Sequence, residues 1–377
     1  MHIAVVGAGP AGTWVSVLLA RQGHSVTLLD PQVPWEKPCG GGVTAKAIST
    51  LEIFDSDLPR NNIERVTIYF ADKESVTVMP QQAIAVLSRR DLGKYLLDTA
   101  ETAGVSVIKS RVTQIKSRAG GWELATRDSV LQSDFLIGAD GATSLVRRSV
   151  GTALQPEDLA VTLGYFIPGN VPPQMKIYFL PEFEGYIWSF PRPNHISYGL
   201  ITRSDPGWTS RAKTLLSNFI IADLGADVLQ QAEFYSAPVP CLGPRAWKNN
   251  QIAGERWALV GDAAGLVDPI TGEGIFYAFK SAQLLADTIG RTDEYTTKVR
   301  MEIGGELERA ARMYKKFYRG SFLGGDFRKR TVQFSKRSRT LRSILGNLVL
   351  GNQGYVTLKK KLLFSIPSVG IDLITGR

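Results

Sequence analysis

The chain opens on Gly7-Ala8-Gly9-Pro10-Ala11-Gly12, set between an apolar, partly β-branched run from His2 to Val6 and a segment of helical composition from Pro10 to Gln22. Few folds remain open to such an order. Gly7 makes the tight turn out of a buried strand, Gly9 lets backbone approach a pyrophosphate, and Gly12 lets the helix pack on the sheet with its positive end facing the phosphates. A second strand is predicted over Ser25–Leu29, ending at Asp30, 18 residues after Gly12. A carboxylate there takes a pair of ribose hydroxyls and repels a 2′-phosphate. The start of the chain is therefore predicted to be a Rossmann-like βαβ unit holding an adenine dinucleotide that is not NADP.

Three later segments select among such dinucleotides. Arg89 opens a helical pattern with Leu92 and Leu96 on one face, which puts a guanidinium within reach of cofactor phosphates or a ribityl chain; a solvated arginine in a first helical turn is the alternative. The run from Phe135 reads as a buried strand leading into Asp140-Gly141 and then Ser144, Arg147 and Arg148. A further strand, Trp257 to Val260, leads into Gly261-Asp262, whose carboxylate suits a ribityl hydroxyl. Downstream, Pro269, Thr271, Gly272 and Gly274 precede a helix expected to start near Glu273. Its positive end suits the flavin N1 and C2 carbonyl, where negative charge collects on reduction. Together these segments point to FAD.

In this order the motifs resemble those of flavoproteins with the p-hydroxybenzoate hydroxylase type of fold. Two more segments narrow the resemblance: Lys37-Pro-Cys-Gly-Gly-Gly-Val43 and Gly185-Tyr-Ile-Trp-Ser-Phe-Pro-Arg192 are similar to the P-C-G-G-G and Y-x-W-x-F-P signatures of the geranylgeranyl reductase family, and Asn352–Leu363 is similar to its C-terminal segment. The resemblance runs from end to end. It implies an FAD-dependent oxidoreductase that saturates prenyl double bonds, with Cys39 in a loop beside the isoalloxazine. The wider group also holds aromatic hydroxylases, halogenases and enzymes that oxidise tryptophan in partner proteins. Flavin-dependent halogenases carry W-x-W-x-I-P where this chain has Tyr186, Trp188 and Phe190, a departure that argues against halogenation.

The expected fold is α/β, with a Rossmann-like FAD-binding domain assembled from residues 1–60, 85–155 and 250–300. A second, antiparallel-sheet substrate domain takes 61–84 and 156–249, and a basic helical segment takes 301–377. Strand-like runs around Tyr69, Tyr165 and Tyr178, in Gly185–Phe190 and in His195–Ile201 make the second sheet, with proline breaks at 168–173, 191–193 and 238–244. At 377 residues and 44% hydrophobic the chain buries a sizeable core. Cys39 and Cys241 give no disulfide framework, which suits a reducing cytoplasm. No run is long enough for a transmembrane helix.

Charge is concentrated at one end. Residues 320–377 hold 11 Lys or Arg against Asp326 and Asp372, a surplus of nine that equals the formal net charge of the whole chain. Leu341, Ile344, Leu345, Leu348 and Val349 share one helical face there, with Arg339 and Arg342 nearby, and Lys359–Lys361 precede a second apolar run. The face either packs on the body or rests on an anionic membrane surface or an acidic partner protein. No nucleic-acid-binding fold accompanies the charge.

The redox step belongs to the flavin, so the protein must position an apolar or aromatic substrate and exclude water. No metal-ligand spacing or nucleophile triad is present; His2, His24 and His195 are scattered, and His195, the one within the substrate region, reads as a structural or surface residue. Cys39 either packs its loop or moves a proton, and Tyr186, Trp188 and Phe190, alternating on one strand face, wall a cavity or fill a core. Two activities follow: reduction of carbon–carbon double bonds in a prenyl-type substrate, or monooxygenation of an aromatic group, including a tryptophan of a partner protein. Either needs electrons from NAD(P)H or a reduced carrier protein.

Overall fold

In the computed structural model, which describes residues 1–50, 57–71, 74–80, 82, 84–169, 172–181, 183–203 and 208–375, the N-terminal strand His2–Val6 lies inside a six-stranded sheet. The order across it is Ala253–Gly254, Trp257–Leu259, Phe135–Gly138, His2–Val6, Ser25–Leu29 and Ser106–Ile108, parallel except for the first pair. Burial on both faces explains why these strands read as continuous apolar runs. The helix Pro10–Arg21 leaves the glycine turn and packs between the helices Arg89–Thr102 and Ile275–Asp287.

The second sheet has seven strands, in the order Glu233–Pro240, Leu159–Pro168, His195–Arg203, Gly185–Pro191, Gln174–Phe179, Arg65–Phe70 and Glu74–Val78. It departs from the expected antiparallel pattern at one seam, where Gln174–Phe179 runs parallel to Arg65–Phe70. The two strands come from distant stretches of chain, so no tight hairpin fixes their relative direction. Pro238 and Pro240, expected to break the sheet, lie inside an edge strand instead, where a missing N–H costs no ladder bond.

The C-terminal segment forms the helices Gly305–Arg319, Phe327–Arg337, Arg339–Val349 and Tyr355–Thr375, with a short hairpin, Ser321–Phe322 and Gly325–Asp326, between the first two. The face of Arg339–Val349 picked out by periodicity packs inward. Ile344 and Leu345 are buried, and a Cβ on Gly346 would stand 3.2 Å from Val78. Among the described residues no helix is long and apolar enough to cross a membrane.

Candidate active site

The glycine turn is shaped by what surrounds it. Gly7 has φ +99°, and a Cβ there would meet the Ala139 carbonyl at 2.4 Å; a Cβ on Gly12 would come within 1.9 Å of the Gly7 carbonyl oxygen. A Cβ on Gly9 would meet nothing within 4 Å, so open space lies in front of the helix N-terminus that a pyrophosphate needs. Asp30 accepts from the backbone N–H of Ala8 at 2.9 Å and of Gln32 at 2.8 Å, which ties the end of the second strand to the turn. Asp140 stands beside the turn through its backbone, but its carboxylate accepts from Ser144 and from the N–H groups of Leu145 and Val146, capping the next helix.

Arg89 sits in the first turn of its helix, buried, its guanidinium Nη1 3.3 Å from the Cys39 Sγ. Its buried Nε has no protein partner. Asp262, just after Gly261, is paired with Lys37 Nζ at 2.9 Å. Burial alone would lift the Asp262 carboxyl; Lys37, by charge and hydrogen bond, and then Arg89 bring it below its usual value. Gly272, at φ +71°, and Gly274 bring the N-terminus of Ile275–Asp287 against Asp262, whose Oδ1 would lie 3.1 Å from a Cβ on Gly274. That helix begins two residues later than expected. Pro269 lies outside this cluster, its carbonyl turned toward Cys241.

The two short motifs interlock. A Cβ on Gly40 would stand 2.4 Å from the Phe190 ring, and one on Gly41 would stand 2.7 Å from Arg192 Nε. The glycines therefore make room for the strand that carries Tyr186, Trp188 and Phe190. Arg192, buried, donates to the Cys39 carbonyl at 2.5 Å and the Gly40 carbonyl at 3.3 Å, and pairs with Glu36. Glu36 also accepts from the Ser88 hydroxyl and from Arg89 N–H at 2.8 Å. Burial would raise the Cys39 thiol, but Arg89, Arg192 and Lys37 outweigh it and hold the thiol below its ordinary value. Burial and the adjacent Arg192 push His195 down to about 4, so it is neutral. Glu36 and Arg192 escaped the sequence reading; Arg192, the residue that follows Y-x-W-x-F-P, was the available signal.

Cys39, Arg89, Asp262 and Trp188 line one end of a cavity of about 230 Å³, and Phe179, Phe317, Leu345 and Leu348 line the other. The Tyr186 hydroxyl donates to the Thr271 carbonyl, and Trp188 Nε1 donates to Ser197 Oγ at 3.2 Å. Both rings are fixed as wall, with Tyr186–Trp188 and Trp188–Phe190 centroid separations of 5.9 and 6.3 Å. Glu273, at the cavity's edge, bonds the Thr44 hydroxyl at 2.7 Å, and burial lifts its carboxyl to about 7.

A family model described as FAD binding domain matches residues 1–292. The chain belongs to this family of FAD-binding proteins. FAD is its cofactor, as the open space at Gly9 and the unpartnered Arg89 Nε allow, and the enzyme is an FAD-dependent oxidoreductase of mixed α/β fold. The chain is 26% identical to a geranylgeranyl diphosphate reductase of Synechocystis, over 90% of this chain and 87% of that protein. It is 28% identical to digeranylgeranylglycerophospholipid reductase 2 of Methanothermobacter thermautotrophicus, over 83% and 86%. In fold it matches a geranylgeranyl bacteriochlorophyll reductase-like protein from Thermoplasma acidophilum, with a TM-score of 0.78 at 21% identity, covering 100% of this chain and 99% of that one. These likenesses agree with the resemblance carried by the two short motifs.

Proposed function

We propose that the protein reduces carbon–carbon double bonds of a prenyl-type or similarly apolar substrate. The observation that carries this reading is a single cavity with an aliphatic and aromatic wall at one end and a thiol flanked by guanidinium groups at the other. FAD, when bound and reduced, supplies a hydride. Gly7, Gly9, Gly12 and Asp30 would hold its adenosine and pyrophosphate, and Arg89, Asp140, Gly261, Asp262, Pro269, Gly272 and Gly274 are the residues assigned to the rest. Of these, Asp140 spends its carboxylate on capping a helix and Pro269 turns its carbonyl toward Cys241.

The second carbon of the double bond needs a proton, and Cys39 delivers it. A thiol brought down from its ordinary value is closer to the match with neutral pH that proton transfer requires. Tyr186 is unsuited to that task, because burial, first of all, drives its hydroxyl far above neutrality. It and Trp188 orient the chain and exclude water. The names of the relatives from Synechocystis and Methanothermobacter support a prenyl substrate. Electrons reach the flavin from NAD(P)H or a reduced carrier protein.

For the basic tail we read contact of this cytoplasmic enzyme with an anionic membrane surface. Lys359, Lys360 and Lys361 are exposed beside Leu363 and Phe364, which are 57% and 74% exposed. Anaerobic mixing of the pre-reduced enzyme with prenyl lipids tests the activity: substrate-dependent reoxidation is expected. Oxygen consumption that depends on an aromatic substrate, with no anaerobic reoxidation, would move the protein to the monooxygenases.

A further inference from the structure

The Glu36–Arg192 pair has no place in the chemistry described so far, yet Arg192 is among the most enclosed polar side chains of the molecule. We propose that Glu36 and Arg192 form a positioning pair for Cys39: Arg192 clamps the loop that carries the thiol, and Glu36 holds Arg192 in that pose while offsetting part of its charge.

Three observations support the assignment. Arg192 is 1% exposed, and its three nitrogens each have a partner: Nε on the Gly40 carbonyl, Nη1 on Glu36, and Nη2 on the Cys39 carbonyl and 3.8 Å from Cys39 Sγ. Such a fork fits a planar guanidinium and not an ammonium. Glu36 joins two elements, since it also takes Ser88 Oγ and Arg89 N–H at the start of the helix whose guanidinium touches the thiol from the other side. The loop itself leaves room for the clamp only because residue 41 is glycine. One pair therefore ties together the two elements whose guanidinium groups reach the sulfur.

The charged and titratable groups around Cys39 are few enough to assign signs. Arg89 faces it from the helix, Arg192 from the strand end and Lys37 from its own loop, where Asp262 neutralises Lys37. Tyr235 is hydrogen-bonded to Ser197, whose hydroxyl donates to the Cys39 carbonyl; Tyr186 lies within electrostatic reach; and His195 is neutral. Removing the Arg192 charge must then raise the thiol, and removing the Glu36 charge must lower it.

The test is titration of the holoenzyme labelled with 13Cβ-cysteine. The chain has two cysteines, so Cys241→Ser assigns the resonances. Arg192→Gln is expected to move the Cys39 midpoint up by about one to three pH units, the size of one opposite charge nearby. Glu36→Gln is expected to move it down. Arg192→Lys keeps the charge but not the fork, so it should leave the midpoint near the parent's while kcat falls at least about fivefold at unchanged KM. A folded, flavin-bound Arg192→Gln with an unmoved midpoint overturns the proposal. So does Glu36→Gln moving upward or not at all, a measurement that decides the matter alone if Arg192→Gln fails to fold. An Arg192→Lys variant with parental kcat removes the clamp. The kcat arm rests on Cys39 being the proton donor. If Cys39→Ser is reoxidised anaerobically by prenyl lipid at the parental rate, that reading falls separately, and the titrations still judge the pair.

Discussion

The two ends of the cavity are held by opposite means. At the Cys39 end the charged side chains are tied to named partners, Arg192 to Glu36 and two carbonyls, Asp262 to Lys37 and Glu273 to Thr44, and only the Arg89 Nε among those described above is left without one. At the far end Phe179, Phe317, Leu345 and Leu348 meet the cavity by shape alone, from the second sheet and two C-terminal helices. The first end tolerates few residue types, because a buried charge left without its partner is costly. The second asks only for apolar volume, which tolerates repacking. Damage should therefore appear as lost stability at the apolar end and as lost chemistry at the charged one.

The largest effect should come from Leu345→Ala, which removes buried methyl groups and costs about 2–5 kcal/mol of stability. Denaturant unfolding measures it; a loss under about 1 kcal/mol would mean that the end collapses freely. Next is the pH dependence set by Glu273, whose carboxyl rises from 4.5 to about 7 on folding. Because the folded value is the higher one, this group's contribution is most favourable below about pH 4.5 and is lost as pH rises through 7. Glu273→Gln should thus stabilise the protein at pH 8 by up to on the order of 3 kcal/mol, with no gain near pH 4. A gain independent of pH would assign the effect to packing.

Asp262→Ala should weaken FAD retention by about 1.5–3 kcal/mol, the range for a hydrogen bond to a charged group. Equilibrium dialysis checks it, and Lys37→Met separates loss of the flavin contact from stranding of the lysine. Cys39→Ser should retain flavin while anaerobic turnover falls at least about tenfold; parental reoxidation would remove the thiol from the chemistry. Smallest in stability is Phe364→Ser, an exposed change expected to stay within about 0.5 kcal/mol. It should nonetheless reduce sedimentation with anionic vesicles. Unchanged sedimentation, or capture by vesicles of neutral lipid alone, would redirect the tail to an acidic protein.

The glycine turn was legible because its geometry is local. Gly7, Gly9 and Gly12 and the following helix lie within a few residues of one another, and Asp30 follows at a fixed distance. Asp140 was found by motif, yet its side chain caps a helix, a use the motif does not encode. The face of Leu345 and Leu348 was visible as a stripe, but periodicity cannot tell a stripe that meets protein from one that meets lipid. Glu36 and Arg192 are 156 positions apart and meet only because two sheets bring them together. A single sequence holds no signal for such a pair beyond the place of Arg192 after Y-x-W-x-F-P and the glycines that leave it space.

The stretch matched as FAD-binding ends at residue 292, while Phe317, Leu345, Leu348 and Val349 come after it. Cofactor grip is thus written within the matched stretch, while part of the cavity wall is written beyond it. Evolution can lengthen or shorten the accommodated hydrocarbon by exchanging a few side chains on one late helix, without disturbing a nucleotide cradle that admits almost no change. A breeder of new specificities would work on that helix first.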